Sequence, residues 1–194
     1  MTFIEPNHDS FFKEIDNPWS VGWEEEVQRI HKILWAWKIL DLWFWVWRHI
    51  KQFLDLNYDL TGIELSKIWY MRLQDDLKNK NQYADLYHWD MFDFDFNKQY
   101  DCIFSNMTLQ YANSEQQFSQ MIEKMKQYTK QWWINYIKLP AAWMSLWFPF
   151  KILDLEALIS YYSDWEILFD KFETQKKDDG KIWVYVTIIA RKKS

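Results

Sequence analysis

Glycine is nearly missing from this chain: its 194 residues include 3 glycines and 15 tryptophans. Ordinary usage of about 7% would supply roughly 14 glycines. Glycine serves sharp turns and close approaches of backbone to ligand, so a shortage this deep falls on particular loops. Cysteine is equally scarce, and the single Cys102 excludes an intramolecular disulfide and any CxxC metal site. Basic residues are in deficit, 23 Lys and Arg against 28 Asp and Glu, for a formal charge of −5. That balance speaks against a nucleic-acid partner, because no cationic excess is present to neutralise phosphates. Long apolar runs are missing as well. The longest apolar patch, residues 33–47, is broken by Lys38 and Asp41 and is too short to span a bilayer. Residues 1–20 lack a basic segment followed by an apolar one, so no secretory leader, no membrane contact and a cytoplasmic location are expected.

What is present is the composition of a globular chain, 49% hydrophobic and 26% charged, of a length that suits one domain. Residues 1–19 are polar and irregular and read as an N-terminal extension. Residues 20–194 read as a single domain. Ser20 caps a first expected helix over 20–34, with Trp23, Val27, Ile30 and Leu34 on one face. Strands are expected at 38–42, 58–64, 84–89, 100–104 and 134–139, and helices at 48–56, 66–80, 114–128 and 153–162. The last two segments, 165–174 and 182–191, alternate in polarity around Asp179-Gly180 and read as an antiparallel hairpin. Strands alternating with helices give a mostly parallel sheet covered on both faces, with the hairpin added at its end.

The stretch Lys38-Ile39-Leu40-Asp41-Leu42-Trp43-Phe44-Trp45-Val46-Trp47-Arg48 dominates the reading. It runs as a buried strand ending in an acid, then a short loop, then a helix, which is the ligand end of a nucleotide-binding α/β fold. Such a loop normally carries glycines; here Trp43, Trp45 and Trp47 hold those places. In an open parallel sheet, ligands bind beyond the carboxyl ends of the strands. Asp41, Glu64, Asp90 and Ser105-Asn106 all fall there. Any one acid at a strand end can be a turn or capping residue; the four together mark a site. Glu64, at the end of the second strand, stands where a carboxylate accepts both ribose hydroxyls of a nucleoside.

Other polar residues read more plainly. Asp93, Asp95 and Asp101 fit a solvated acidic loop better than an oxygen cage for a metal. The histidines, His8, His31, His49 and His88, are scattered, and His31 and His49 are expected on helix surfaces. No Ser/His/Asp order supports nucleophilic catalysis. Cys102 reads as a small buried hydrophobe and Trp165 and Trp183 as core.

These motifs resemble those of class I S-adenosylmethionine-dependent methyltransferases, and more narrowly the tellurite-resistance methyltransferase family. The resemblance covers residues 22–193. It rests on 38–48, where the family has D-L-G-x-G-x-G-R, and on Tyr100-Asp101-Cys102-Ile103-Phe104-Ser105. It rests further on Phe148-Pro149-Phe150, Tyr161-Tyr162-Ser163-Asp164-Trp165-Glu166 and Ala190-Arg191-Lys192-Lys193. It implies a Rossmann-like seven-strand methyltransferase sheet. The implied cofactor is S-adenosyl-L-methionine, with transfer of its methyl group to a small soft acceptor such as a tellurite or selenite species. By that resemblance Asp41 lies near the methionine amino group and Glu64 binds the ribose hydroxyls. Asp90 and Met91 flank the adenine, Ser105 lies near the methionine moiety, and Trp43 and Trp45 sit in the cofactor loop.

The departures are concentrated. Trp43, Trp45 and Trp47 replace the loop glycines, Trp89 the glycine before Asp90, and Trp37 a turn glycine. Gln131-Trp132-Trp133 stands where a Pro-Gly-Gly turn is usual, and Gly22, Gly62 and Gly180 are expected away from the loop. The family's histidine near the terminal hairpin has no counterpart at Thr174-Gln175. A tryptophan forced to a positive φ costs roughly 1–3 kcal/mol. Its indole brings about 150–250 Å² of apolar surface that needs cover, and the cofactor crevice is the nearest cover. The expectation is therefore a methyltransferase scaffold whose cofactor pocket Trp43, Trp45 and Trp47 fill, with activity lost or impaired. An active enzyme with a rearranged loop and a non-enzymatic aromatic-rich binding module are the alternatives.

Overall fold

The structure, a computed structural model, describes residues 24–33, 38–44, 48–141, 154–176 and 182–193. In chain order these form α1 (Glu24–Ile33), β1 (Lys38–Asp41), α2 (Arg48–Asp55), β2 (Asp59–Glu64), α3 (Lys67–Asn79) and β3 (Asp85–His88). Then follow β4 (Tyr100–Asn106), a 3-10 turn (Leu109–Tyr111), α4 (Glu115–Tyr128), β5 (Thr129–Pro140), α5 (Leu155–Ser160), β6 (Glu166–Lys176) and β7 (Ile182–Arg191). The N-terminal extension, the Ser20 cap, Trp37, Trp45, Trp47 and the Asp179-Gly180 turn lie outside the described residues.

The strands make one seven-stranded sheet in the order β3-β2-β1-β4-β5-β7-β6. Strands β1 to β5 pair in parallel, and β7 runs antiparallel between β5 and β6. The mostly parallel sheet with a terminal antiparallel hairpin is the expected architecture. Chain order runs outward from β1 to β3 and then returns to β4 on the other side of β1. That reversal opens a crevice beyond the carboxyl ends of β1 and β4.

Strands buried on both faces read as continuous apolar runs, and their side chains alternate between two cores. One face sends Leu40, Ile63, Ile103 and Ile137 against Phe118, Met121, Ile122 and Met125 of α4. The other sends Ile39, Leu60, Cys102, Phe104 and Tyr136 against α1, α2 and α3 through Val27, Ile30, Ile50, Phe53, Leu73 and Leu77. Helix starts are set by side-chain caps: Ser66 Oγ accepts from the Trp69 amide at 3.4 Å, Ser114 Oγ from Gln117 at 3.1 Å, and Asp154 Oδ1 from Ala157 at 2.8 Å. Helix α5 is shorter than the expected 153–162: the Asp154 cap sets its start at Leu155, and the chain passes into a turn after Ser160. Among the described residues no helix is long and apolar enough to cross a membrane.

Three local expectations are corrected. Strand β5 begins at Thr129 and includes Gln131-Trp132-Trp133, which had read as a turn before the strand. It absorbs them in a bulge: Thr129 pairs with Tyr100 but Ile134 with Cys102, and Trp132 sits at φ 70°. His49 is buried, 8% exposed, rather than on a helix surface, because α2 turns that face onto Phe104, ring to ring at 4.8 Å. Gly62 is not remote from the loop after β1. It pairs with Asp41, and a Cβ there would lie 2.7 Å from Phe44 Cδ1 and 2.9 Å from Ile50 Cδ1.

Candidate cofactor site

The rim of the crevice is built from four strand ends. Asp41 closes β1 and Glu64 closes β2; both are 1% exposed. Past β3, Asp90 is half-buried, and its Oδ1 accepts from the Phe92 amide at 2.9 Å. Met91, beside it, turns into the core with Leu42 and Ile63. Ser105, fully buried near the end of β4, shares a hydrogen bond with the Thr108 hydroxyl at 2.6 Å. The expected residues therefore gather along one rim. Met91 and Ser105, however, face into packed surroundings.

The loop after β1 crosses that rim. Leu42 continues the strand by donating to the Phe104 carbonyl at 3.0 Å, and Phe44 donates to the Ile63 carbonyl at 3.3 Å. The Phe44 ring is buried on the bare backbone of Gly62. With Phe44 anchored inward, Trp43 points along the rim. Its amide donates to Asp41 Oδ1 at 3.2 Å. Its indole N–H donates to Glu64 Oε1 at 2.8 Å, the same oxygen that accepts from the Ser66 amide at 2.8 Å. The far edge of the indole meets Tyr111, with ring centroids 4.7 Å apart and planes at 72°. The side chain thus reaches from the acid of β2 to the 3-10 turn after β4. Trp43 is absent from the described non-glycine residues at positive φ, so the strain expected of a replaced glycine does not arise there.

Burial dominates the electrostatics. It pushes Asp41 up to about 7, with the Trp43 amide pulling the other way. It pushes Glu64 up to about 8, against the pull of the Ser66 amide and the Trp43 indole, while Asp41 raises it further. Asp90 is raised by burial more modestly. Asp41 Oδ2 and Glu64 Oε2 are buried and have no hydrogen-bond partner. Protonation is the cheapest way to keep such carboxyl groups in a closed site. Among the described residues no set of His, Cys, Asp and Glu is placed to hold a metal ion.

Sequence reasoning missed Tyr111 and Ser66 as members of this rim. Ser66 was legible as a helix cap. Nothing in Leu109-Gln110-Tyr111 marks a contact to a loop some seventy residues earlier.

The family model described as tellurite resistance protein TehB matches residues 7–180. The chain belongs to that family. A crystal structure of TehB from Haemophilus influenzae superposes with a TM-score of 0.80 at 23% identity, covering 95% of this chain and 66% of that one. The chain thus spans just under two thirds of that TehB relative. An S-adenosylmethionine-dependent methyltransferase from Clostridium acetobutylicum matches with a TM-score of 0.76 at 10% identity, over 96% of this chain and 99% of that one. The N-methyltransferase NodS from Bradyrhizobium japonicum, in complex with S-adenosyl-l-homocysteine, matches at 0.70 and 12% identity, over 94% and 97% of the two chains. A search of curated protein sequences finds no match. These structures share the fold read from the sheet order, and the TehB family match agrees with the resemblance drawn from the motifs.

Proposed function

We propose that this TehB-family chain keeps the methyltransferase scaffold but holds its methyl-donor seat shut with Trp43. S-adenosyl-L-methionine then binds poorly and methyl transfer is impaired. The observation that carries this reading is the 2.8 Å hydrogen bond from the Trp43 indole to Glu64 Oε1. A nucleoside in this fold places its ribose hydroxyls on the acid that ends β2. Here one oxygen of that acid already accepts from an indole and a backbone amide, and the indole extends onward to Tyr111. In this arrangement the residues do not fit the donor, so no transfer step is drawn through it. The acceptor of the ancestral reaction would be a small soft anion such as a tellurite or selenite species. Such chemistry depends on alignment more than on a general base, so the lack of an evident base in the rim is neutral.

One observation favours a second reading, an active enzyme whose loop rearranges. Asp41 Oδ2 and Glu64 Oε2 remain buried and unpartnered, and buried acceptors of that kind suit a ligand with hydroxyl and amino donors. The third reading, an aromatic-rich binding module, draws less support. Exposed Trp89 follows β3 and exposed Trp132 lies in the first half of β5, so these two form no single patch.

Calorimetric titration with S-adenosyl-L-methionine separates the first two readings. The unaltered chain is expected to give no micromolar binding, and the Trp43→Gly, Trp45→Gly, Trp47→Gly variant to recover it. Micromolar binding by the unaltered chain supports the rearranging loop and overturns the closed seat.

A further inference from the structure

The two edges of the sheet are unlike. At one edge β3 is four residues long, and at the other β6 runs for eleven, Glu166–Lys176. An edge strand turns half of its N–H and C=O groups outward, and proteins blunt such edges by keeping them short, bulged or charged. Strand β6 has one bulge against β7, between Ile167 and Phe169. From Phe169 to Lys176 it pairs without a shift with Ile189 to Ile182. No other described strand lies on its outer side. Among the described residues, none of the turn and loop backbone hydrogen bonds reaches Phe169–Lys176. Asp170, Lys171 and Phe172, in the middle of this ladder, are all exposed, Phe172 to 52%.

The sequence of β6 is complementary to itself in one register. A twofold axis perpendicular to the sheet sets the strand antiparallel on its own copy. Each face of the sheet stays on its own side, so the axis passes through a residue and not between two. On Asp170, Lys171 or Glu173 it would set like charges face to face. On Phe169 it falls at the bulge, and on Thr174 it engages only residues 172–176. On Phe172 it sets ring beside ring, Asp170 opposite Thr174, and Lys171 opposite Glu173 of the second copy, each pair occurring twice. The Glu173 carboxylate is held in place from within its own chain. Lys138 and Arg29 each lie 3.4 Å from it, and the Thr187 hydroxyl donates to it at 2.9 Å.

We propose that the chain dimerises through β6, edge to edge and antiparallel about Phe172, which joins two sheets into one. The partner is a second copy because the register that avoids like charges also centres on the exposed aromatic and uses the unshifted ladder. Strands β4, β5 and β7 separate β6 from β1. The interface therefore does not depend on whether the methyl-donor seat is closed.

Sedimentation velocity of the full chain across the micromolar range tests the interface, and a monomer–dimer equilibrium is expected. Lys171→Glu turns both opposite-charge pairs into like-charge pairs and is expected to weaken the dimer about tenfold. Phe172→Lys sets two ammonium groups at the axis and is expected to abolish the dimer in this range. Both positions are exposed, so circular dichroism is expected to show an unchanged fold. Disulfide trapping with diamide as the oxidant reads the register. Phe172→Cys brings its two Cα atoms to about 4.5–5.5 Å, within disulfide reach, and is expected to give a cross-linked dimer. Asp170→Cys leaves its two thiols four residues apart along the ladder, about 13 Å, and is expected not to cross-link. Cys102 is buried and does not compete. The proposal is overturned by a monomer at every concentration, or by an undiminished dimer in folded Phe172→Lys. Cross-linking of Asp170→Cys as readily as of Phe172→Cys also overturns it.

Discussion

Trp43 and Trp132 both stand where the family pattern has glycine, and the fold treats them in opposite ways. Trp43 lies half-buried on the rim, with its indole N–H on Glu64 and its ring against Tyr111, on an unstrained backbone. Trp132 lies in the β5 bulge at φ 70°, 62% exposed, held by its amide to the Lys192 carbonyl at 3.0 Å. The difference lies in what each glycine served. In the bulge the backbone itself needs a left-handed residue, so a side chain there is strained and gains little cover. On the rim the backbone tolerates a side chain, and on our reading a glycine there would leave room for a ligand. The same replacement therefore strains the fold in one place and, on our reading, removes the fit to a cofactor in the other.

The comparison can be broken most forcefully through pH. Asp41 and Glu64 are raised above their ordinary values, to about 7 and about 8. The folded chain keeps them protonated where the unfolded chain has released both protons. Their stabilising contribution is complete below about pH 4 and declines as pH rises through 7 to 8, at about 1.4 kcal/mol per pH unit for each group. Chemical denaturation from pH 4 to pH 8 is expected to show this loss. The Asp41→Asn, Glu64→Gln double variant is expected to flatten it, and an unchanged slope would mean that the closed rim holds its acids charged.

A smaller effect tests the anchor of the loop. Gly62→Ala puts a methyl group 2.7 Å from the Phe44 ring. It is expected to destabilise the chain by about 1–3 kcal/mol, read from the urea midpoint. A neutral result would show that Phe44 is free to move and that Trp43 is not held in place by it. Smallest is Trp132→Gly, which relieves the positive φ and is expected to gain about 1 kcal/mol. Equal gains at Trp132→Gly and Trp43→Gly would erase the distinction between the two sites.

Much of this was legible in the sequence. Apolar runs ending in Asp41 and Glu64 announce parallel strands with a polar rim, and Ser66, Ser114 and Asp154 mark where helices start. The indole at Trp43 was predictable as apolar bulk beside a crevice. Its hydrogen bond to Glu64 was not, because the partner depends on the path of the loop, and that path is set by Phe44 seating on Gly62. That pairing joins residues eighteen apart and has no periodic signature. His49 misled for a related reason: a polar residue on a helix reads as exposed unless the strand beneath supplies Asn106 and Phe104. The β5 bulge was hidden because Gln131-Trp132-Trp133 occupies a turn pattern yet is carried inside the strand.

The central claim is that one side chain closes the methyl-donor seat. Calorimetric titration of the chain and of its Trp43→Gly variant with S-adenosyl-L-methionine, side by side at pH 7, tests it most directly. The account predicts a silent parent and a variant that binds in the micromolar range. A parent that binds as tightly as the variant, or a folded variant that stays silent, would contradict it.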